Sequence, residues 1–225
     1  MILYMWDSIL NNKGVEKKWK YFDKCLTFDR IDYLAHQDQL LFRPLFYYEK
    51  YLPKNADTYQ YDISFIGTGH GDRVKIVHSV EQQCKELGLS FYSYLFLPHK
   101  LVYFYNKVLN LDYKEVHMDE LHFKMLPFTT TYSIYGGSKC VIDVESKTQC
   151  GLTMRTIEMV GLKKKLITTN KDIVNYDIYN TNNIMVVDRE NFQIDSSFFE
   201  REYEDLPDQI YQKYSLKNWI LEVLS

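Results

Sequence analysis

The chain has 225 residues, a net charge of −3 from 27 basic and 30 acidic residues, and 16% aromatic residues. Its length suits one large domain or two modest ones, and its aromatic and aliphatic content, with only 9 glycines and 5 prolines, excludes collagenous and largely disordered proteins. The slightly acidic balance disfavours a nucleic-acid partner, because binding to phosphates needs a basic excess.

Few and short elements are predicted in the first part of the chain. They are a strand Ile2–Trp6, a helix Glu16–Lys24, a strand Cys25–Phe28, a turn or helix opened by Asp29, and an apolar run Leu40–Tyr48. The polar segment Lys54–Thr58 follows a proline, which predicts a linker. We therefore expect two units, residues 1–57 and residues 58–225.

Beyond the linker, strand and helix patterns alternate more clearly. In chain order they are a strand Tyr61–Gly67, a helix Val74–Leu87, a strand Ser90–Leu97, a helix Lys100–Leu109, an unassigned segment Met118–Tyr135, a strand Cys140–Val144, a helix Thr153–Leu162, a strand Lys165–Thr169, a helix Asp172–Asp177, a strand Ile184–Val187, a short acidic helix and a helix Asp208–Leu224. Short β-rich runs between helices predict a parallel sheet covered on both faces. The expected fold is α/β and Rossmann-like, with a small partial α/β segment in front of it.

The first candidate ligand loop joins a strand to a helix, which is where sheets of this kind bind ligands. It contains Gly67, Gly69 and Gly71 at alternate positions and ends in Arg73. Glycines let the backbone approach a ligand, the following helix presents free N–H groups, and a guanidinium suits phosphate oxygens. The alternative is a purely structural turn in which Arg73 pairs with Asp72 or Glu81.

Two further loops carry similar chemistry. If a helix begins near Thr153, Arg155 and Glu158 lie three residues apart on one face. An arginine there suits a diphosphate and a carboxylate suits ribose hydroxyls, whereas a surface salt bridge between the two is the alternative. The third loop contains Thr169 and Asn170, which can cap the next helix or hydrogen-bond a sugar.

Metal sites, disulfides and membrane spans are not predicted. The four cysteines form no CxxC pair, so we expect reduced thiols, and no cluster of ligand side chains suggests a metal. The basic run Lys163–Lys165 reads as a solvated helix end. No apolar run reaches the roughly 18 residues needed to cross a bilayer, and Asp7 interrupts the apolar start of the chain, so we expect a cytoplasmic protein.

Four segments carry a resemblance to a known family. They are Asp62–Thr68 with Arg73, then Ser138–Asp143, and then Gln149–Glu158 followed by Lys165–Asn170. In order and spacing they resemble the nucleotide-sugar-binding, C-terminal half of GT-B glycosyltransferases, especially the bacterial CgeB-like proteins and the group 1 glycosyltransferases of capsular or lipopolysaccharide biosynthesis. Residues 1–48 resemble the stretch that precedes this half. The resemblance implies that residues 1–57 are the remnant of an acceptor-side domain.

The resemblance also implies a set of donor contacts and no metal cofactor. Glu158 matches the family glutamate that holds the ribose, and Arg73 and Arg155 become contacts to the diphosphate. The remaining implied donor contacts are Gly67, Thr68, Gly69, Gly71, Gln149, Gly151, Thr153, Thr169 and Asn170. Cys150 stands where many retaining members carry a second glutamate, so the retaining chemistry of those members is not implied.

Two functions remain open from the sequence. One is transfer of a sugar from a nucleotide-diphosphate donor to a bacterial glycan or lipid-linked acceptor, in the cytoplasm or at the inner face of the membrane, with Asp7 or His70 as the general base. The other is a non-catalytic nucleotide-sugar-binding or assembly module that needs a protein partner for the acceptor side. The second is kept because only about fifty residues precede the linker, too few for a complete doubly wound domain.

Overall fold

A computed structural model describes residues 1–51, 59–110, 113–148 and 150–225, which form two parallel sheets. The strands are β1 (Ile2–Met5), β2 (Lys24–Thr27), β3 (Leu41–Phe42), β4 (Tyr61–Thr68), β5 (Phe91–Phe96), β6 (Leu121–His122), β7 (Ser138–Asp143), β8 (Lys165–Thr168) and β9 (Ile184–Val186). The α-helices are α1 (Arg30–Ala35), α2 (Arg73–Leu87), α3 (Lys100–Leu109), α4 (Phe128–Gly136), α5 (Met154–Leu162), α6 (Ser197–Glu200), α7 (Asp208–Lys213) and α8 (Leu216–Leu224).

The larger sheet has the strand order β6-β5-β4-β7-β8-β9. The chain runs outward from β4 to β6, returns to the middle, and runs outward again from β7 to β9. The direction in which successive strands are added to the sheet changes between β4 and β7. These two strands pair in parallel, with Ile63 opposite Cys140. A crevice forms outside the carboxyl ends of the two strands at such a switch point. The Rossmann-like α/β fold is therefore confirmed, and its topology indicates where a ligand would bind.

Both faces of the larger sheet are covered, as an all-parallel sheet requires. Phe65 of β4 and Ile142 of β7 belong to one apolar cluster, to which helix α2 contributes. Val141 and Leu166 belong to a second cluster on the other face, to which helix α5 contributes. Successive strand residues point to opposite faces, so both sets of side chains in these strands are mostly apolar and buried. This arrangement holds the strand ends, and the loops after them, in fixed positions.

The smaller sheet has the order β1-β2-β3 and its own apolar cluster, which includes Met5. Helix α8 joins it to the rest of the protein. Trp219 Nε1 donates to the Pro44 carbonyl at 3.0 Å, and Arg43 Nε pairs with Glu222 Oε2 at 3.0 Å. The C-terminal helix thus packs on the N-terminal segment. The predicted linker, and with it the boundary at residue 57, lies outside the described residues.

Several predicted elements differ from the structure. The predicted helix Glu16–Lys24 is a shorter 3-10 helix, Val15–Tyr21, and the predicted helix Asp172–Asp177 is a 3-10 helix, Lys171–Asn175. Within the apolar run Leu40–Tyr48 only β3 is a regular strand, while the unassigned segment contains β6 and most of α4. Hydrophobic pattern therefore located these segments but did not distinguish a 3-10 helix from an α-helix, or a short strand from an irregular apolar run.

The predicted C-terminal helix Asp208–Leu224 is also wrong, because it is two helices, α7 and α8. Ser215 lies between them, and its hydroxyl accepts the Asn218 N–H at 3.3 Å, which caps α8. Ser215 also forms an isolated parallel bridge with Tyr47. Tertiary contact with the N-terminal segment therefore interrupts a pattern that is helical by local propensity alone.

The basic run is not a solvated helix end, because only Lys163 is exposed. It pairs with Asp205 at 2.7 Å. Lys164 and Lys165 are buried, and the Lys165 ammonium donates to the Phe198 carbonyl at 2.6 Å. Burial lowers the pKa of Lys164 to about 8. Two of these three lysines therefore belong to the interior of the protein.

Helix α5 packs on Tyr47 with no space between them, since a Cβ on Gly161 would lie 2.5 Å from Cγ of the Tyr47 ring. Tyr47 is buried and its hydroxyl donates to the Tyr211 carbonyl at 3.1 Å, so the ring is held. We predict that Gly161→Ala lowers the free energy of unfolding by about 1–3 kcal/mol, although alanine is the better helix former. A urea titration followed by circular dichroism measures this, and an unchanged midpoint would contradict the close packing.

Candidate functional site

Two cavities open at the carboxyl edge of the larger sheet, beside the switch point. The first, which we call the arginine cavity, has a volume of about 340 Å³ and is lined by Ile66, Gly67, Thr68, Arg73, Tyr94, Phe96, Met125, Leu126, Thr131 and Arg155. The second, the loop cavity, has a volume of about 390 Å³ and is lined by Thr68, His70, Gly71, Asp72, Arg73, Glu145, Ser146, Lys147 and Arg189. Because Thr68 and Arg73 line both, the two cavities are neighbours. Their volumes suit a small-molecule ligand.

Asp143, the last residue of β7, is fully buried and positions the Arg155 side chain. Its Oδ1 accepts a hydrogen bond from Arg155 Nη1 at 2.7 Å. Its Oδ2 accepts from the hydroxyls of Thr153 and Thr156, at 2.8 and 2.9 Å. The Thr153 hydroxyl also caps α5 by accepting the Thr156 N–H at 3.2 Å. The start of α5 is thereby tied to the end of β7, and the buried carboxylate has partners for both oxygens.

The Arg155 guanidinium is also fixed on its other sides. Nε donates to the Tyr135 hydroxyl at 3.0 Å, and Nη2 donates to the Ile66 carbonyl. The guanidinium carbon lies 5.4 Å from the centroid of the Phe65 ring. A Cβ on Gly67 would lie 2.9 Å from Phe65 Cζ and 3.2 Å from Arg155 Nη2, so glycine is needed there for this packing. A guanidinium has five N–H donors, which leaves two for a ligand in the cavity.

Arg73, the first residue of α2, forms the common wall of the two cavities. Its Nε donates to the Val144 carbonyl at 3.0 Å and its Nη1 to the Thr68 hydroxyl. Among the described residues it forms no ion pair with a carboxylate, and its Nη2 has no hydrogen-bond partner. Burial, and next the positive charge of Arg155, lower the pKa of Arg73. The guanidinium still remains charged at neutral pH, so an anion in the cavity would relieve the repulsion between the two arginines.

Asp72 pairs with Arg189 and not with Arg73. Arg189 donates to both carboxylate oxygens, at 2.9 and 2.8 Å, and Lys147 lies 3.0 Å from one of them. The Arg189 hydrogen bond is the main reason that the pKa of Asp72 is well below its usual range. The pairing of Arg73 with a neighbouring carboxylate, considered above as the structural alternative, is therefore not formed. The Arg73 guanidinium therefore remains available to a ligand in either cavity.

Glu158 is not part of the wall of the arginine cavity, but it lies close enough to the wall residue Arg155 for their charges to interact. Its carboxylate accepts a hydrogen bond from Tyr132, the neighbour of the wall residue Thr131. Burial raises the pKa of Glu158, while the Tyr132 hydrogen bond and the charge of Arg155 act in the opposite direction. Arg155 pairs with Asp143, so it does not form the surface salt bridge to Glu158 that the spacing also allowed. The Glu158 carboxylate keeps acceptor capacity for a ligand hydroxyl.

The loop between β7 and α5 is held from behind by the N-terminal segment. Asp29 Oδ2 accepts the Gly151 N–H at 2.9 Å, and a Cβ on Gly151 would lie 2.5 Å from the Phe28 ring. Asn170 Nδ2 donates to the Cys150 carbonyl at 2.9 Å, and its Oδ1 caps the following 3-10 helix. Of the two roles that the sequence allowed for Asn170, the structure shows capping.

The structure brings part of the predicted site together. The predicted residues that line a cavity are Gly67, Thr68, His70, Gly71, Arg73 and Arg155. The predicted residues that line neither cavity are Asp7, Gly69, Gly151, Thr153, Glu158, Thr169 and Asn170. Gln149 lies outside the described residues. Most of the second group lies in the loops and helix ends around the cavities, whereas Glu158 lies within α5 and Asp7 follows β1.

The two candidate general bases occupy different places. His70 lines the loop cavity, and partial burial followed by the charge of Arg73 lowers its pKa, which favours the neutral imidazole. Asp7 is exposed at the carboxyl end of β1. The next residue, Ser8, donates to the Thr148 carbonyl at 3.2 Å, which brings this end of the smaller sheet against the β7–α5 loop.

Sequence reasoning missed three features of the site. It did not assign Asp143 as the anchor of Arg155, and it did not find Arg189 after β9. It also missed the aromatic wall formed by Tyr94 and Phe96 of β5, where the Tyr94 ring stacks on His122 with 3.9 Å between centroids. The last two depend on strand order, which places β5 beside β4 and brings the ends of β9 and β4 to the same edge. The first joins β7 to the helix that follows it, across 12 residues. A search for polar and aromatic residues at every strand end would have included them.

Three other properties concern the chain as described. All four cysteines are free thiols, as predicted, and only Cys150 is exposed. In the described ranges, no group of three or more His, Cys, Asp or Glu side chains could hold a metal ion. The same part of the chain contains no helix long and apolar enough to cross a membrane.

The fold and site together define a class of structure. The chain combines a Rossmann-like sheet, which has two arginines at its switch point, with a second parallel sheet. Solved structures of glycosyltransferases of GT-B type share this fold and match nearly the whole chain. No protein-family model matches the sequence, and a search of curated proteins finds no match.

Three solved structures illustrate the similarity. The chain is 13% identical to a glycosyltransferase from Rickettsia africae ESF-5, covering 99% of this chain and 68% of that one with a TM-score of 0.58. It is 9% identical to sucrose-phosphate synthase from Thermosynechococcus elongatus, covering 98% and 65% with a TM-score of 0.60. It is 9% identical to the apo form of the lipopolysaccharide outer core galactosyltransferase WaaB, covering 100% and 68% with a TM-score of 0.53. This chain thus spans about two thirds of each, and the likeness is one of fold.

Proposed function

We propose that this protein is a glycosyltransferase whose donor is a nucleotide-diphosphate sugar bound in the arginine cavity. The observation that carries the proposal is the pair Arg73 and Arg155 at the switch point. Both guanidiniums line the cavity and retain N–H donors without a protein partner, and none of the described residues lining it is a carboxylate. A diphosphate supplies the negative charge and the acceptor oxygens that such a pair favours. The shared fold with glycosyltransferases supports the same class.

The residues that line the cavity suggest which part of the donor each wall contacts. The free Nη2 of Arg73 suits the diphosphate, and the apolar side formed by Tyr94, Phe96 and Leu126 suits the flat face of a nucleobase. Glu158, beside the cavity, suits the ribose hydroxyls as the family resemblance implies. The sugar would then extend toward the loop cavity, because Arg73 and Thr68 line both spaces.

In the transfer step, the bond between the anomeric carbon and the diphosphate oxygen breaks, and the oxygen leaves with the electron pair. Arg73 and Arg155 would stabilise the charge that develops on it, and both are already held by protein hydrogen bonds. The acceptor hydroxyl forms the new bond to the carbon and gives its proton to a general base. His70 is favoured in its neutral form and can take that role, and Asp7 is the second candidate.

The acceptor that we propose is a bacterial surface polysaccharide or lipopolysaccharide precursor, reached in the cytoplasm or at the inner face of the membrane. Two observations support it. The sequence segments resemble capsular and lipopolysaccharide transferases, and WaaB, named for the lipopolysaccharide outer core, shares the fold.

A donor-release assay tests the proposed activity. The full chain is incubated with UDP-, GDP- and ADP-sugars, with and without glycan acceptors, and the released nucleoside diphosphate is measured. We expect release with one donor class and its loss in Arg73→Ala. Donor binding without any release or transfer would favour the binding or assembly module, which the small three-stranded sheet also suits. No binding of any donor would contradict both functions.

Glu158 gives donor binding a predicted pH dependence. Because burial raises its pKa, Glu158 takes up a proton at a higher pH than an ordinary glutamate as the solution is acidified. The protonated form is a poorer acceptor for ribose hydroxyls, so affinity should fall about tenfold as the pH passes down through this raised pKa. Calorimetry with a nucleotide sugar, whose diphosphate does not titrate in this range, measures the change.

The matched variant for this prediction is Glu158→Gln. It should bind the nucleotide sugar weakly and with little dependence on pH, while circular dichroism confirms that it stays folded. A variant that keeps the wild-type pH profile would show that another group is responsible.

A further inference from the structure

Helix α3 carries an apolar stripe on its solvent side. Five residues form it: Leu101, Phe104, Tyr105, Val108 and Leu109. Their side chains are between 54% and 82% exposed. The spacing i, i+3, i+4, i+7, i+8 places them within an arc of about 140° at 3.6 residues per turn. Tyr103, which is buried, points to the opposite side, so the helix is anchored by one face and presents its apolar face outward.

Only positive charges accompany this stripe. The charged residues of α3 are Lys100 and Lys107, and the helix contains no acidic residue. At the same helical periodicity both lysines lie on one flank of the stripe, between it and the protein core. Lys100 is exposed, and Lys107 Nζ donates to the carbonyls of Lys114 and Val116 at 2.7 and 2.8 Å. Neither charge is neutralised by a carboxylate among the described residues, so the complementary surface is apolar and anionic.

We propose that α3 binds the surface of an anionic lipid bilayer, with the stripe among the upper acyl chains and the lysines at the lipid phosphates. Phe104 and Tyr105 suit this position because aromatic side chains favour the boundary between headgroups and acyl chains. Lys100 can extend its ammonium group to the phosphates while its stem stays apolar. The Lys107 ammonium, which donates to two backbone carbonyls, keeps one N–H and its charge. A second copy of the chain fits less well. In an antiparallel pair about a twofold axis, the lysine flanks of both helices lie on the same side and repel each other.

The proposed lipid surface lies close to the arginine cavity. Phe96, at the carboxyl end of β5, lines the cavity, and α3 begins four residues later. Met125, another residue of the cavity wall, is 70% exposed. Binding through α3 would therefore hold the cavity near the bilayer. The inference rests on α3 alone and does not depend on the proposed function.

Vesicle co-sedimentation of the full chain tests this proposal. We expect at least tenfold stronger binding to phosphatidylcholine vesicles that contain phosphatidylglycerol than to pure phosphatidylcholine, and weaker binding in high salt. The double variant Phe104→Ser/Val108→Ser should bind at least tenfold more weakly, because it removes apolar surface from the stripe. The matched control, Leu10→Ser/Leu224→Ser, removes two equally exposed leucines elsewhere and should bind like the wild type.

Two results would overturn the proposal. One is binding that does not respond to phosphatidylglycerol, or that falls equally in both double variants. The other is an absence of vesicle binding together with a dimer, seen by light scattering, that Phe104→Ser/Val108→Ser converts to a monomer. The second result would assign the stripe to a second copy of the chain. All four substituted residues are exposed, so both variants are expected to fold, and circular dichroism checks this.

Discussion

Arg73→Ala is expected to weaken binding of the nucleotide-diphosphate sugar by about 30-fold or more. Hydrogen bonds between a guanidinium and a phosphate are charge-assisted and are among the stronger ones in proteins. Arg73 is half-buried, lines both cavities and has a free Nη2, so its removal deletes donors that face both spaces. Calorimetric titration with UDP- and GDP-sugars measures the loss.

Two variants separate the role of Arg73 from a general effect of charge. Arg73→Lys keeps the charge but lacks the planar fork, so it should recover binding only in part. Arg201→Ala removes the same charge from an exposed position outside both cavities and should bind like the wild type. If Arg201→Ala and Arg73→Ala weaken binding equally, the arginine cavity is not the donor site.

Asp143→Ala is expected to lower the free energy of unfolding by about 3–5 kcal/mol. The substitution leaves the Arg155 guanidinium largely buried without its counter-charge, and breaking one side of such a pair has an effect of this size. It also removes the acceptor for the hydroxyls of Thr153 and Thr156 at the start of α5. Urea unfolding followed by circular dichroism and tyrosine fluorescence measures the difference.

The control for this prediction is an exposed ion pair. Asp205→Ala breaks the surface ion pair with Lys163 and should lower the free energy of unfolding by less than about 1 kcal/mol. The double variant Asp143→Ala/Arg155→Met should recover part of the stability, because an apolar replacement removes the unpaired charge. Equal, small losses for Asp143→Ala and Asp205→Ala would mean that the Arg155 network does not hold the site together.

The fold could be predicted where local pattern and tertiary structure agree. The segment Tyr61–Gly67, in which Ile63, Phe65 and Ile66 are apolar, predicts a buried strand, and β4 is the central strand that continues into the glycine loop. Asp29 predicts a helix start, and its carboxylate caps α1 by accepting the Ile31 N–H at 2.9 Å. In these places a short-range signal was enough, because the partners are near in sequence or the burial is complete.

The contacts of the site could not be predicted in the same way. Arg189 and Asp72 lie 117 residues apart, and their pairing exists only because β9 and β4 end at the same edge. Arg155 had a nearer partner available in Glu158 but pairs with Asp143 on another element. Strand order decides which loops meet, and a single sequence does not encode strand order in any local pattern.

In the C-terminal part, too, long-range contacts decide the structure and the local sequence pattern does not predict them. Residues 208–224 follow a helical pattern, yet the chain breaks at Ser215, which bridges to Tyr47 in the N-terminal segment. Lys164 and Lys165 are charged residues of a kind that usually lies at the surface, but the Lys165 ammonium donates to the Phe198 carbonyl inside the protein. Long-range contacts override local preference in both cases, and they are visible only in the folded chain.

The central claim is that the arginine cavity binds the diphosphate of a nucleotide donor. A crystal structure of the full chain grown with a saturating nucleoside diphosphate tests it most directly. We expect phosphate oxygens within hydrogen-bond distance of Arg73 Nη2, the base against Tyr94 and Phe96, and the ribose toward Glu158. A nucleotide bound elsewhere on the protein, with the arginine cavity empty, would contradict it.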